Sequence, residues 1–128
     1  MKVLLKNVRL SFPSLFKTEQ YAGEDTGKFA ATFLIPKSDT KTVATIEQAC
    51  KQALIEKYGE GKTPKGFKLP LVDGDDKEYQ GYADCVCIKA NTKKRPTLVN
   101  RDKTPIAEED GILYGGCYVN ASIDVWVM

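Results

Sequence analysis

The sequence predicts a mainly β fold, a small curved antiparallel sheet or barrel with one α-helix and long loops. Several short segments alternate apolar and polar side chains or form β-rich runs, as strands do. One segment spaces its apolar residues by three and four, as an amphipathic helix does. At 128 residues, of which 42% are hydrophobic, the chain has the size of one domain with one core. We therefore expect residues 1–128 to form a single domain.

Four segments predict strands. Residues 2–10 (KVLLKNVRL) alternate, and residues 28–36 (KFAATFLIP) form a β-rich run. Residues 82–92 (YADCVCIKANT) predict a third strand, which follows an acidic turn sequence, DGDD at 73–76. The cleanest alternation lies in residues 115–127 (GGCYVNASIDVWV). It places six apolar or small side chains on one face: Cys117, Val119, Ala121, Ile123, Val125 and Val127.

The predicted helix lies between two local stop signals. Pro36 ends the preceding strand, Ser38 or Asp39 can cap the helix N-terminus, and Gly59 is a typical C-terminal stop. Side chains repeat at three and four positions between them: Val43, Ile46, Cys50, Ala53, Leu54 and Lys57. Residues 59–66, rich in Gly and Lys with one Pro, predict a loop.

The composition argues against a secreted, membrane-bound or metal-containing protein. The apolar run at the N-terminus is too short for a signal peptide, and no segment reaches the length of a membrane span. We therefore expect a soluble intracellular protein. The chain has four Cys and no His, and three of the Cys lie in apolar alternating runs. This pattern favours free cysteines that pack as small hydrophobic residues, without a metal or other cofactor.

The positive charge of the chain is concentrated in one segment. The formal net charge is only +2, but residues 89–103 (KANTKKRPTLVNRDK) carry six basic side chains and one acidic one. This basic segment follows an apolar strand, and extended character resumes at residues 97–99, so we expect the charges to flank a turn between two paired strands. The basic side chains are the candidate phosphate contacts: Lys89, Lys93, Lys94, Arg95, Arg101 and Lys103.

A fixed basic rim beside exposed aromatic rings is typical of proteins that bind single-stranded nucleic acid. Lys and Arg contact the phosphates, and the rings stack on unpaired bases of any identity. Phe29 and Phe33 are predicted core residues because they lie in an apolar strand. The candidate stacking residues are Phe12, Phe16, Tyr21, Tyr79, Tyr82, Tyr114 and Tyr118.

Two other functions remain open at this point. Asp73, Asp75, Asp76 and Glu78 could hold Mg²⁺ in a metal-dependent nuclease or resolvase, although DGDD is also a common turn composition. A structural or adaptor protein of a virion would use the sheet surface for protein contacts. Nucleophilic catalysis has little support, since the chain has no His to serve as the base.

Six segments together resemble a family of bacteriophage single-stranded-DNA-binding proteins. The resemblance covers nearly the whole chain, in this order: LKNVRLSFPSLF (5–16), FAATFLIPK (29–37), IEQACKQAL (46–54), LPLVDGD (69–75), KANTKKRPTLVNRD (89–102) and GGCYVNASIDVWV (115–127). The most specific pieces are KKRPTLVNRD and GCYVNASI. The resemblance implies an OB-fold, a five-stranded antiparallel barrel related to the replication proteins of podophages that bind single-stranded DNA.

The resemblance also implies the partner and the setting. Such proteins coat unpaired DNA with little sequence preference during phage replication and recombination, in the cytoplasm of the infected host. We expect single-stranded DNA as the partner, with RNA and replication or recombination proteins as further candidates, no membrane, and a monomer or weak homodimer. Family members continue past the equivalent of Trp126 into an acidic tail, which this sequence does not contain, so the tail's functions are not transferred.

Overall fold

The first strand is long, and its buried positions change from odd to even numbers between Leu5 and Val8. The computed structural model describes residues 2–61, 71–77, 79 and 81–125. In β1 (Lys2–Ser14) the buried positions are Val3 and Leu5, then Val8 and Leu10. The shift from odd to even positions requires an extra residue, and the pairing with the last strand is irregular between Leu5 and Val8. The backbone N–H of Asn7, which has a positive φ, donates to the Asn120 side chain across this irregularity at 2.8 Å.

Five strands form one antiparallel sheet. The remaining strands in chain order are β2 (Gln20–Tyr21), β3 (Glu24–Asp25), β4 (Phe29–Pro36), β5 (Leu71–Asp73), β6 (Cys85–Thr92) and β7 (Tyr118–Asp124). The sheet order is β5-β6-β4-β1-β7, and β2 and β3 form a separate short hairpin between β1 and β4. Short 3₁₀ turns lie at Gly74–Asp76 and Glu108–Asp110. The predicted mainly β fold is confirmed, although the hairpin was not anticipated.

The helix α1 (Thr40–Tyr58) has the bounds that the sequence indicates. The Asp39 carboxylate accepts hydrogen bonds from the backbone N–H of Thr42 at 3.3 Å and from its hydroxyl at 2.7 Å. At the other end the Gly59 N–H donates to the Ile55 carbonyl. The helix packs its apolar face on one side of the sheet. The buried core on that side comprises Val3, Leu5, Val8, Leu10, Ala31, Phe33, Ile35, Ile46, Ala49, Cys50 and Ile88.

The sheet is strongly curved. Ile88 and Ala90 of β6 and Ile123 of β7 line the same cleft of about 610 Å³, although β4 and β1 lie between these strands in the sheet. Strands this far apart face one another only where a sheet coils on itself, as in small barrels. The curvature agrees with the predicted curved sheet or barrel, and α1 packs on one face of the sheet.

The pairing of residues 97–99 differs from the sequence prediction. Residues 97–99 do not form a strand paired with β6; Val99 instead makes an isolated bridge with Pro105. The pairing partner of Val99 is thus set by the turn at residues 100–104, where Asp102 accepts hydrogen bonds from the backbone and side chain of Thr104. Most of the predicted 59–66 loop, together with residues 126–128, lies outside the described residues.

The cysteines pack as predicted. All four are free, with Cys50 and Cys87 buried and Cys85 and Cys117 half-buried. Burial raises the pKa of the Cys50, Cys85 and Cys87 thiols, so these groups stay protonated and unreactive at neutral pH. No helix within the described residues combines the length and apolar character that crossing a bilayer requires.

Candidate nucleic-acid interface

The face of the sheet opposite α1, here called the open face, carries polar and aromatic side chains. They alternate with the core residues along each strand, so they point away from the helix. The strand pairing aligns them in rows: Tyr118 of β7 lies opposite Arg9 of β1, and Ser11 of β1 lies opposite Thr32 of β4. The open face comprises Arg9, Ser11, Thr32, Lys89, Asn91 and Tyr118.

Three aromatic rings form a cluster beside the open face. Phe12 and Tyr79 meet edge to face, with ring centroids 5.0 Å apart, and Tyr82 lies 5.2 Å from Tyr79 and 6.4 Å from Phe12. Phe12 and Tyr79 are 58% and 53% exposed as whole residues. Exposed rings that are fixed by their neighbours lose little entropy when a base stacks on them. This pair is therefore the best-formed stacking surface among the predicted residues.

Tyr82, by contrast, is a support for the other two rings. It is 4% exposed and packs against Leu34 and Cys87. Its hydroxyl lies 2.7 Å from the Ser11 hydroxyl, and burial raises the pKa of the phenol. A ring this deeply covered has no free face for a base, and this burial argues against the predicted stacking of Tyr82 on DNA. Its polar sequence context, EYQGY, gave no indication that the ring is inserted.

The other predicted rings lie apart from this cluster. Tyr118 is exposed on β7, Tyr21 is exposed in the β2–β3 hairpin, and Tyr114 is exposed in the loop before β7. Phe16 is half-buried, and the Arg95 guanidinium carbon lies 6.0 Å from its ring centroid. The structure thus brings together Phe12, Tyr79 and buried Tyr82. The other four predicted stacking residues occupy separate positions: Phe16, Tyr21, Tyr114 and Tyr118.

The predicted basic side chains divide into three groups. Lys89 lies on the open face, where its ammonium is 3.0 and 3.1 Å from the two carboxylate oxygens of Glu19. Lys93, Lys94 and Arg95 are exposed directly after β6. Arg101 and Lys103 are exposed in the 100–104 turn. An irregular loop replaces the expected hairpin turn, and its charged residues begin directly after the end of β6, the strand that carries Lys89 on the open face.

Arg9 is a cationic residue of the open face that the sequence predictions missed. It is half-buried at the centre of β1, and its Nε donates to the Gly116 carbonyl at 3.3 Å. The sequence placed it in an alternating strand far from the basic segment. Its position opposite Tyr118 depends on the pairing of β1 with β7, which joins the two ends of the chain.

The whole chain matches a known protein family. The profile described as "Enterobacter phage Enc34, ssDNA-binding protein" matches residues 1–128. The chain belongs to this family. Putative protein p50 of Acyrthosiphon pisum secondary endosymbiont phage 1 is 40% identical over 134 residues, which cover 98% of this chain and 73% of that protein.

Solved structures of the Enc34 family share the fold. The single-stranded DNA-binding protein from bacteriophage Enc34 in complex with ssDNA superposes with a TM-score of 0.80 at 26% identity, covering 98% of this chain and 74% of that chain. The same protein in a second structure gives a TM-score of 0.76 at 24% identity, covering 98% and 69%. With the five antiparallel strands and one helix, this similarity confirms the predicted OB-like fold.

In this Enc34-family chain, a lysine forms ion pairs with the carboxylates of the acidic turn. The Lys37 ammonium lies 2.8 Å from Asp73 and 2.6 Å from Asp75. This contact, together with backbone N–H donors, lowers the pKa of both carboxyls, and the two carboxylates raise the pKa of Lys37. Glu78 lies outside the described residues. Within the described ranges no group of three or more Cys, Asp or Glu side chains could hold a metal ion.

Proposed function

We propose that this chain binds single-stranded DNA on the open face, with little sequence preference, and thereby protects and organises it during phage DNA replication or recombination. The observation that carries the proposal is the exposed Phe12–Tyr79 pair, held on buried Tyr82 beside a face that presents cations. Membership of the Enc34 family supports it, as does the similarity to a relative solved in complex with ssDNA.

Capture of the strand is electrostatic. The six basic residues of the 89–103 segment contact phosphates: Lys89, Lys93, Lys94, Arg95, Arg101 and Lys103. Each contact releases counterions from the strand, so the affinity falls by roughly 0.7 log unit per contact for each tenfold increase in salt. Phosphates carry no sequence information, which accounts for the absence of a marked sequence preference.

Stacking then holds the bases. Phe12 and Tyr79 offer exposed ring surface, and each base stacked on such a ring contributes about 1–3 kcal/mol. Phe16, Tyr21, Tyr114 and Tyr118 are further stacking residues along the path of the strand. Because double-stranded DNA has no free base faces, this mechanism favours unpaired strands.

We infer that the chain acts by binding and not as an enzyme. In the nuclease alternative Asp73 and Asp75 would ligate Mg²⁺, but both carboxylates already engage the Lys37 ammonium. A cation there would have to displace a lysine held by two charge-assisted hydrogen bonds. No observation favours a structural role in the virion over single-stranded DNA binding.

The setting follows from the ligand. We place the protein in the cytoplasm of the infected host, where phage DNA is replicated. RNA is a second candidate ligand, because it presents the same phosphates and base faces, and replication or recombination proteins are candidate partners. The chain acts as a monomer or weak homodimer, with the edge of β7 as the place where a second copy could pair.

A fluorescence anisotropy titration tests the proposal. Random-sequence single-stranded DNA, double-stranded DNA and RNA oligonucleotides are compared at two salt concentrations. We expect the single-stranded DNA to bind more tightly than the duplex and to weaken as salt increases. Replacing Tyr79→Ala should weaken binding about tenfold, whereas the control Tyr58→Ala on α1 should not. Failure of the parent protein to bind single-stranded DNA at low salt would overturn the proposal.

A further inference from the structure

Arg9 is a positively charged group held in a fixed place on the open face. It lies in β1, opposite Leu34 of β4 on one side and Tyr118 of β7 on the other. Leu34 packs against buried Tyr82, so Arg9 lies between the aromatic cluster and exposed Tyr118. The strand register therefore places Arg9 between two parts of the proposed stacking surface, the Phe12–Tyr79 pair and Tyr118.

Two glycines from different loops form the walls around the guanidinium. A Cβ at Gly81 would lie 2.6 Å from Nη1 of Arg9, and a Cβ at Gly116 would lie 3.3 Å from Nη2. Both glycines have positive φ, 87° and 104°, which other residues rarely adopt. A side chain at Gly81 would force the guanidinium to move. The backbones of two loops therefore pack closely against this one side chain.

The hydrogen bonding of the guanidinium is incomplete within the described residues. A guanidinium has five N–H donors, and the bond that the structure gives to Arg9 is the one from Nε to the Gly116 carbonyl. The Nη1 and Nη2 groups form the fork that binds two oxygens of a phosphate at once. Because the Nε bond and the two nearby glycines restrict the orientation of the guanidinium, binding an anion there costs less side-chain entropy than at a fully exposed lysine.

We propose that Arg9 binds a backbone phosphate of the DNA through this fork and fixes the register of the strand between the Phe12–Tyr79 pair and Tyr118. This inference rests on the proposed function, since it requires that single-stranded DNA crosses the open face. Lys93 and Lys94 of the basic segment attract the strand over a range of positions, because their side chains are exposed. Arg9 favours one position, because the Nε bond and the two glycines restrict its guanidinium.

Two variants separate this role from a purely structural one. Arg9→Gln keeps a donor of similar reach for the Gly116 carbonyl but removes the charge. Arg9→Lys keeps the charge but removes the fork. Lys51→Ala, on the exposed side of α1, is the matched control, because it removes the same charge from the opposite side of the sheet. Each variant is first checked by thermal unfolding.

The titration gives a distinct result for each variant. We expect Arg9→Gln to weaken binding to a random-sequence single-stranded oligonucleotide about tenfold or more. Its salt slope should fall by roughly 0.7. Arg9→Lys should lose affinity with the slope retained, and Lys51→Ala should resemble the parent.

The outcomes distinguish the inference from the function on which it rests. If the parent binds and Arg9→Gln binds with the affinity and slope of Lys51→Ala, Arg9 makes no phosphate contact. A loss of affinity in Arg9→Gln with an unchanged slope would likewise overturn the phosphate contact, since the guanidinium would then act on a base or on the loops. If the parent itself does not bind, the proposed function fails first.

Discussion

At the scale of single residues, Phe12 has a backbone conformation that costs free energy. Its φ is +45°, in the region that non-glycine residues rarely adopt, and it lies where the pairing of β1 with β4 is irregular, between Ser11 and Ser14. The bulge turns the ring out towards Tyr79, and Ser11 is tied to the Tyr82 hydroxyl next to it. Strain that exposes an aromatic ring is characteristic of a functional position.

This strain predicts an unusual order of stability. In the ordinary extended backbone of a strand, Ala is more stable than Gly, but at a positive φ the order reverses because Gly has no Cβ to clash. We expect Phe12→Gly to exceed Phe12→Ala in free energy of unfolding by about 1 kcal/mol, measured by urea denaturation. Both variants should lose single-stranded DNA affinity to a similar extent, since both remove the ring.

The matched control lies on the same strand. Leu4 is an exposed large side chain of β1 without a positive φ. Leu4→Ala should therefore be more stable than Leu4→Gly. If Phe12→Ala and Phe12→Gly follow the same order as the Leu4 pair, the positive φ at Phe12 stores no strain.

A residue's role could be predicted from the sequence where it depends on neighbouring residues, but not where it depends on how distant strands pair. Lys93, Lys94 and Arg95 could be singled out because a cluster of charges is visible in the chain itself. Tyr82 could not be recognised as buried, because its cover comes from Leu34 and Ser11, about fifty and seventy positions earlier. Exposure of a tyrosine in a polar segment is decided by distant strands, and these leave no mark on its local sequence.

At the scale of elements, the helix is the part that local chemistry determines most fully. Asp39 and Gly59 satisfy its end groups from within the same segment, so its bounds follow from the sequence. The opposite holds for residues 97–99, whose extended character predicted a partner strand. Their bridge to Pro105 is set by the intervening turn, and alternation alone does not choose between pairing partners.

The β2–β3 hairpin is another element that the sequence did not reveal, and it bears on the binding surface. Glu19, at its base, holds Lys89 of the open face in an ion pair with both carboxylate oxygens within 3.1 Å. The Glu19 carboxylate occupies the position at the Lys89 ammonium that a phosphate oxygen of DNA would take. DNA must therefore displace Glu19 before Lys89 can contribute a phosphate contact.

Removing this competitor should strengthen binding. We expect Glu19→Gln to bind single-stranded DNA more tightly, by up to about fivefold, because an exposed ion pair contributes no more than about 1 kcal/mol. The salt slope should rise by at most about 0.7, the value of one additional phosphate contact. Glu24→Gln, which removes the same charge from the tip of the same hairpin, is the control. Equal affinities of the two variants would show that Glu19 does not compete with DNA.

At the scale of the whole molecule, the formal net charge of +2 is too small to attract DNA by itself. Binding must depend on where the cations lie, because exposed charges separated by more than about 10 Å are largely screened at ordinary ionic strength. The helix α1 covers one face of the curved sheet, whereas Lys93, Lys94 and Arg95 are exposed in the loop directly after β6. Charge on the helix and charge after β6 should therefore have unequal effects on binding.

This inequality is the basis of a test with two triple variants of identical net charge. One replaces Lys93, Lys94 and Arg95 by Ala, and the other replaces Lys41, Lys51 and Lys57 of α1 by Ala. We expect the first to weaken every single-stranded oligonucleotide by a similar factor and to lower the salt slope by roughly 0.7 for each phosphate contact removed. The helix variant should keep the slope of the parent. Both slopes come from titrations across a salt series. If the two triple variants weaken binding equally, net charge governs the affinity and the strand does not pass beside the end of β6.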